Sequence, residues 1–131
     1  LCLIWFDTPS GIPIECSKEL YNMVKKYQPN CLINSRIGIK GATFDYESSG
    51  DNEIPDDDKS GRLYETCATL NDTWGYKSFD NNWKSADEVI RIKNHLKSLG
   101  ANYLLNIGPD HLGRFPARAI EVLREVGQKI T

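Results

Sequence analysis

The chain opens on an unbroken apolar run, Leu1-Cys2-Leu3-Ile4-Trp5-Phe6, that stops at an aspartate, Asp7. A run with no polar alternation reads as a strand buried on both faces, as in parallel sheets covered by helices. Ligands of such sheets gather beyond the carboxyl ends of the strands, which makes an acid at that point a candidate site residue. The following Thr8-Pro9-Ser10-Gly11 also admits a plainer role, a turn or helix-capping aspartate. A run that begins at the first residue without an initiator Met further suggests a portion of something longer.

The order of elements after this run is that of an α/β chain. Ser17 is expected to cap a helix over residues 18–27, with Leu20, Met23, Val24 and Tyr27 at helical spacing and Gln28-Pro29-Asn30 as its stop. Cys31-Leu32-Ile33 begins a second apolar strand that ends in Asn34, Ser35 and Arg36, which completes a βαβ unit with parallel strands. Residues 38–62 turn polar and read as a long loop, with Asp45, Glu47, Asp51, Glu53, Asp56, Asp57 and Asp58 crowded together. A shorter, alternating strand is expected over 65–70, leading into the turn Asn71-Asp72-Thr73-Trp74-Gly75-Tyr76. Ser85-Ala86-Asp87-Glu88 is a capping box for a helix that ends at Gly100. A strand over 101–107 and a last helix from Pro116 follow. Four strands are half the number that closes a (β/α)8 barrel.

Composition removes several partner classes. A net charge of -2 with both signs interspersed offers no polycationic face, so nucleic acid and anionic membranes are not expected partners. No apolar run approaches the roughly 18 to 20 residues of a membrane span. Cys2, Cys16, Cys31 and Cys67 show no CxxC spacing and read as buried free thiols, and His95 and His111 share no ligand-like spacing with them, so no zinc site is expected. The stretch 51–58 is rich in oxygen ligands but lacks the alternating spacing of an EF-hand calcium loop.

Collected at the presumed strand ends are Asp7, Asn34, Arg36, Glu65, Thr69 and Asn106, with the acidic loop and Trp74 close by. Two carboxylates, an arginine and exposed aromatics suit glycoside cleavage, in which one carboxylate acts at the anomeric carbon and another moves a proton on and off the leaving oxygen. Arg36 would hold Asp7 ionised, since a nearby cation lowers a carboxylate's pKa. A structural arginine–carboxylate pair accounts for the same composition equally well.

Five segments together resemble a known family: Ile4-Trp5-Phe6-Asp7, then residues 31–38 (CLINSRIG), 50–55 (GDNEIP), 65–76 (ETCATLNDTWGY) and 102–109 (NYLLNIGP). They resemble, in the family's order, the α-L-fucosidases of glycoside hydrolase family 29. The resemblance implies a retaining exo-glycosidase with a (β/α)8-like catalytic barrel, of which residues 1–131 would be the C-terminal part, about the second half. It implies no metal or organic cofactor, a fucosylated glycan or glycoside as substrate, and as structural partners the rest of the barrel and a C-terminal β-sandwich.

By the same resemblance Asp7 matches the nucleophile, while Trp5, Arg36 and Trp74 line or close over the fucose. The acid/base lies in a loop of variable length, with Glu53 the first choice, Glu65 its rival, and Glu47 or Asp51 remaining. The retaining geometry places the two carboxyl groups about 5 to 5.5 Å apart in a closed site. Tyr64, Ala101 and Thr8 depart from the usual tryptophan, glycine and glycine. The missing half of the barrel, which carries the histidines that bind the sugar hydroxyls in the family, implies that residues 1–131 alone do not catalyse. A different class of function, a fucose-binding relic that does not hydrolyse, fits the same aromatics. Asn71-Asp72-Thr73 matches a glycosylation sequon, but a glycan there is not expected because the triplet overlaps the motif.

Overall fold

The computed structural model describes residues 1–57 and 61–130. Asp58, counted in the acidic stretch, lies outside the described residues. The described part divides into two compact units, one of residues 1–48 and 61–65, the other of residues 49–57 and 66–130. No helix among the described residues is long and apolar enough to cross a membrane.

The first unit is the expected βαβ unit with shorter strands. β1 (Leu3–Ile4) and β2 (Leu32–Ile33) pair in parallel, Leu3 with Leu32 and Ile4 with Ile33, across α1 (Ile14–Tyr27). The expectation of burial on both faces fails: among the described residues β1 and β2 form a two-stranded sheet, and Leu1 and Leu3 remain 80% and 37% exposed. The helix also starts earlier than its pattern suggested. Pro13 is the N-cap and its carbonyl accepts the Ser17 N–H at 3.1 Å, so Ser17 is not the cap but a buried residue of the first turns. Of the expected stripe, Leu20 and Val24 are half-buried while Met23 and Tyr27 are exposed.

Part of the polar stretch is structural. Asp45 accepts hydrogen bonds from the Ile33 N–H at 2.8 Å and the Tyr21 hydroxyl at 2.9 Å, and pairs with Lys25 at 2.8 Å, which ties α1 to the end of β2. The segment then forms β3 (Glu47–Ser48), where a loop was expected, and pairs in parallel with the start of β4 (Tyr64–Thr69).

β4 is neither short nor half-exposed: all six of its residues are buried. Its threonines and glutamate escape the cost of burying polar groups through hydrogen bonds: Thr66 Oγ1 donates to the Glu53 carbonyl at 3.4 Å, and Thr69 Oγ1 and Glu65 Oε1 also have side-chain partners. In the second unit β5 (Asn102–Asn106) is hydrogen-bonded to β4, and Leu70 N–H donates to the Asn106 carbonyl at 3.0 Å.

The helices α2 (Ala86–Ser98) and α3 (Ala117–Ile130) bury Ala86, Val89, Ala119, Val122 and Val126 around Leu70. Ser85 caps α2 as read from sequence, its hydroxyl accepting the Glu88 N–H at 3.2 Å. All four cysteines are free thiols, but Cys2 and Cys16 are exposed rather than buried: Cys2 precedes β1, whose Leu3 is itself exposed, and Cys16 lies on the exposed side of the first turn of α1.

Candidate active site

The polar residues beyond β1 and β2 are held by an asparagine that behaves like one more rung of the sheet. Asn34 is fully buried; its Oδ1 accepts the Phe6 N–H and its Nδ2 donates to the Phe6 carbonyl, both at 2.9 Å. A side-chain amide thus replaces a peptide group just where the two-residue strands end, and it fixes the backbone next to Asp7. Ser35–Ile37 then form a single 3-10 turn that carries Arg36, and Ser35 Oγ accepts the Ser48 N–H at 3.0 Å.

Arg36 links Asp7 and Trp5. Its Nη1 lies 3.1 Å from Asp7 Oδ1, and its guanidinium carbon stands 4.8 Å from the centre of the Trp5 ring. Burial acts to raise the Asp7 pKa, but the Arg36 hydrogen bond, the Thr8 backbone N–H and the Arg36 charge hold it below the ordinary carboxylate value. The Asp7 side chain is 56% exposed, so its carboxylate is both ionised at neutral pH and accessible. On the other side of this group, Trp5 Nε1 donates to Glu65 Oε1 at 2.8 Å, and the Tyr46 hydroxyl lies 3.5 Å from the same oxygen. Glu65 is 3% exposed. Asp7, Arg36, Trp5 and Glu65 therefore form one connected group within the first unit. Tyr46 and the pinning role of Asn34 were missed from sequence; a polar residue immediately after a strand, facing the neighbouring backbone, is the signal for the latter.

Glu53 and Trp74 belong to the second unit. Glu53 closes a tight turn: its N–H donates to the Gly50 carbonyl at 3.1 Å, and its Oε2 accepts the Gly50 N–H at 3.0 Å. The turn lies along β4, where Asn52 N–H donates to the Cys67 carbonyl at 3.0 Å, and the Glu53 side chain is exposed. Of the remaining carboxylates, Glu47 pairs with Arg62 at 3.3 Å and Asp51 lies 3.8 Å from Cys67 Sγ.

The Trp74 turn is built from β4 and β5. Asn106 Nδ2 donates to Thr69 Oγ1 at 3.0 Å and to the Trp74 carbonyl at 2.9 Å. Gly108 has backbone against it: a Cβ there would stand 2.7 Å from Tyr76 N and 2.8 Å from the Trp74 carbonyl oxygen. Trp74 is 38% exposed. Asn71 Nδ2, the atom a glycan would occupy, donates to Asp80 at 2.8 Å and is buried, which opposes glycosylation at the sequon. His95 lies on α2 with Nε2 2.8 Å from the Pro55 carbonyl oxygen, and His111 lies between β5 and α3, as read from sequence.

The family model described as Alpha-L-fucosidase matches residues 2–130. The alpha-L-fucosidase of Dictyostelium discoideum is 32% identical over 66 residues, 49% of this chain and 14% of that protein. Among solved structures, the Lactobacillus casei alpha-L-fucosidase in complex with its α-L-fucose product is similar with a TM-score of 0.84 and 46% identity, over 96% of this chain and 38% of that one. The alpha-L-fucosidase of Vibrio sp. strain EJY3 gives a TM-score of 0.89 at 34% identity, over 99% of this chain and 24% of that one. The chain thus spans well under half the length of each of these proteins.

Proposed function

Because the chain belongs to the alpha-L-fucosidase family, we propose that it supplies the nucleophile-bearing, C-terminal part of a (β/α)8-like catalytic barrel that hydrolyses terminal α-L-fucosides with retention. The observation that carries this reading is the Asp7–Arg36–Trp5–Glu65 group: an accessible carboxylate held ionised by a guanidinium, beside an indole anchored on Glu65 near the start of β4, with Trp5, Asp7 and Arg36 just beyond the carboxyl ends of the parallel β1 and β2. Asp7 attacks C1 of the fucoside while an acid protonates the departing oxygen, giving a covalent fucosyl–enzyme. Water deprotonated by the same group then attacks C1, the bond to Asp7 breaks, and fucose leaves with its configuration retained. Trp5 and Trp74 offer ring faces to the apolar C–H surface of the sugar.

Glu53 is the acid/base in this scheme, and Glu65 the anchor of Trp5. Glu65 is buried and already accepts the Trp5 indole N–H, whereas the Glu53 carboxyl is exposed on a turn. The remainder of the barrel and a β-sandwich complete the parent protein, and residues 1–131 alone are inactive. The test is leaving-group dependence in the full-length enzyme. Glu53→Gln should retain cleavage of activated aryl fucosides while losing that of unactivated ones, and azide should restore turnover. Glu65→Gln should raise KM instead; the reverse pattern would exchange the two roles, and the same pattern in Asp51→Asn or Glu47→Gln would move the acid to that residue.

A further inference from the structure

The turn that carries Trp74 is organised by one carboxylate that the catalytic scheme does not use. Asp80 is 8% exposed, and its Oδ2 accepts three hydrogen bonds: from Asn71 Nδ2 at 2.8 Å, from the Thr73 N–H at 2.9 Å and from the Thr73 hydroxyl at 2.7 Å. Its Oδ1 accepts the Asn82 N–H at 3.4 Å, and its own N–H donates to the Lys77 carbonyl at 3.1 Å. The three donors on Oδ2 are neutral, and they belong to the residues that flank Asp72 and lead into Trp74.

A buried carboxylate costs desolvation that a neutral turn would avoid, and bonds to an ionised acceptor are roughly twice as strong as neutral ones. Such an arrangement fixes one conformation of a turn. Trp74 is then constrained from both sides. Its carbonyl is held by Asn106 Nδ2, and its preceding residue, Thr73, is held by Asp80 through both backbone and side chain. An aromatic already in its bound orientation spares the ligand the cost of ordering it.

We propose that Asp80 is a positioning residue for sugar recognition, holding the Thr73–Trp74 turn so that the Trp74 ring meets the fucosyl unit in one orientation. This rests on the fucosidase reading above and on Trp74 as a sugar contact. It assigns to Asp80 an effect on binding, which Trp74 provides to ground and transition state alike, and not on the bond-breaking step.

The experiment compares wild-type full-length enzyme with Asp80→Ala, Asp80→Asn and Thr73→Ala, reading KM and kcat for an aryl α-L-fucoside and the inhibition constant of free α-L-fucose. Asp80→Ala should raise KM and the fucose constant together by about tenfold, with kcat changed less than about threefold. Asp80→Asn, which can place its one carbonyl oxygen where Oδ2 stood, should recover most of that loss. Thr73→Ala keeps the Thr73 N–H bond to Asp80 and gives up the approach of its hydroxyl to Asp80 and to the Gly75 carbonyl, so it should move the same two constants, and the double variant should lose less than the sum of the two single losses because the variants share the hydroxyl contact. Should Asp80→Ala fail to fold, Thr73→Ala carries the test: unchanged KM and fucose constant overturn the proposal, as does a loss confined to kcat or melting temperature. A wild type that neither cleaves the fucoside nor binds fucose overturns the fucosidase reading and this proposal with it; a wild type that does both, with all three variants unchanged in binding, overturns this proposal alone.

Discussion

The guanidinium of Arg36 touches Asp7 at 3.1 Å while its carbon stands 4.8 Å from the Trp5 ring, so one cation sets both the charge state of the acid and the seat of the indole. The acidic limb of kcat/KM in the full-length enzyme should report this. Removing the cation raises the Asp7 pKa, which leaves a smaller ionised fraction at any given acidic pH. Arg36→Gln should therefore move the acidic limb to higher pH, and Arg36→Lys, which keeps a charge but not the planar fork, should move it less. A limb that stays in place would show that Arg36 does not govern Asp7.

Gly108 packs directly under the Trp74–Tyr76 backbone, with three backbone atoms closer than 3.0 Å to the position of a Cβ. Gly108→Ala must displace that turn, since neither side can yield by a rotamer change. A destabilisation of about 1 to 3 kcal/mol is expected, accompanied by weaker fucose binding. Denaturant titration and fucose inhibition measured on the same variant check both parts.

Thr8, directly after Asp7, has φ of +56°, in the left-handed region that a β-branched residue rarely occupies. Thr8→Gly relieves that strain and loses part of the gain to a more flexible unfolded chain. The net expectation is a stability increase of up to about 1 kcal/mol, with the acidic limb unmoved because the backbone N–H to Asp7 remains. A loss of stability would show that the Thr8 side chain holds this turn.

The Tyr103 hydroxyl is buried without a hydrogen-bond partner among the described residues, and burial, with the Glu88 charge nearby, pushes its pKa up to about 12. The unfolded tyrosine ionises near 10, so the folded state loses stability as pH rises from about 10 through 12. Tyr103→Phe removes an unsatisfied group, so it should be neutral or stabilising by about 1 kcal/mol at pH 7 and should flatten the alkaline decline. Chemical denaturation across that range measures both effects.

What could be read in advance divides by the range of the interaction. Ser85 with Glu88, and Gly100 at φ of +70°, mark the ends of α2 through local chemistry. The start of α1 was misplaced because Ser17 is a good cap by type, yet Pro13 occupies that place and Ser17 is buried. β3 is two residues long and has no pattern of its own; its pairing with Tyr64 and Glu65 defines it. Glu65 and Trp5 are 60 positions apart, and Asp80 reaches Asn71 and Thr73 across a turn, so neither pair leaves a periodic trace. The segments around Asp7, Arg36 and Trp74 carry the family resemblance, but the contacts that hold these residues, from Asn34, Glu65, Asn106 and Asp80, are visible only in the structure.

The most direct test of the account is labelling of the full-length enzyme with a fluorinated α-L-fucosyl probe that forms a covalent adduct and releases it slowly, followed by peptide mapping. The expected result is one fucosyl group on Asp7, absent in Asp7→Asn. An adduct on another residue, or enzyme that cleaves fucosides while Asp7 stays unmodified, would contradict it.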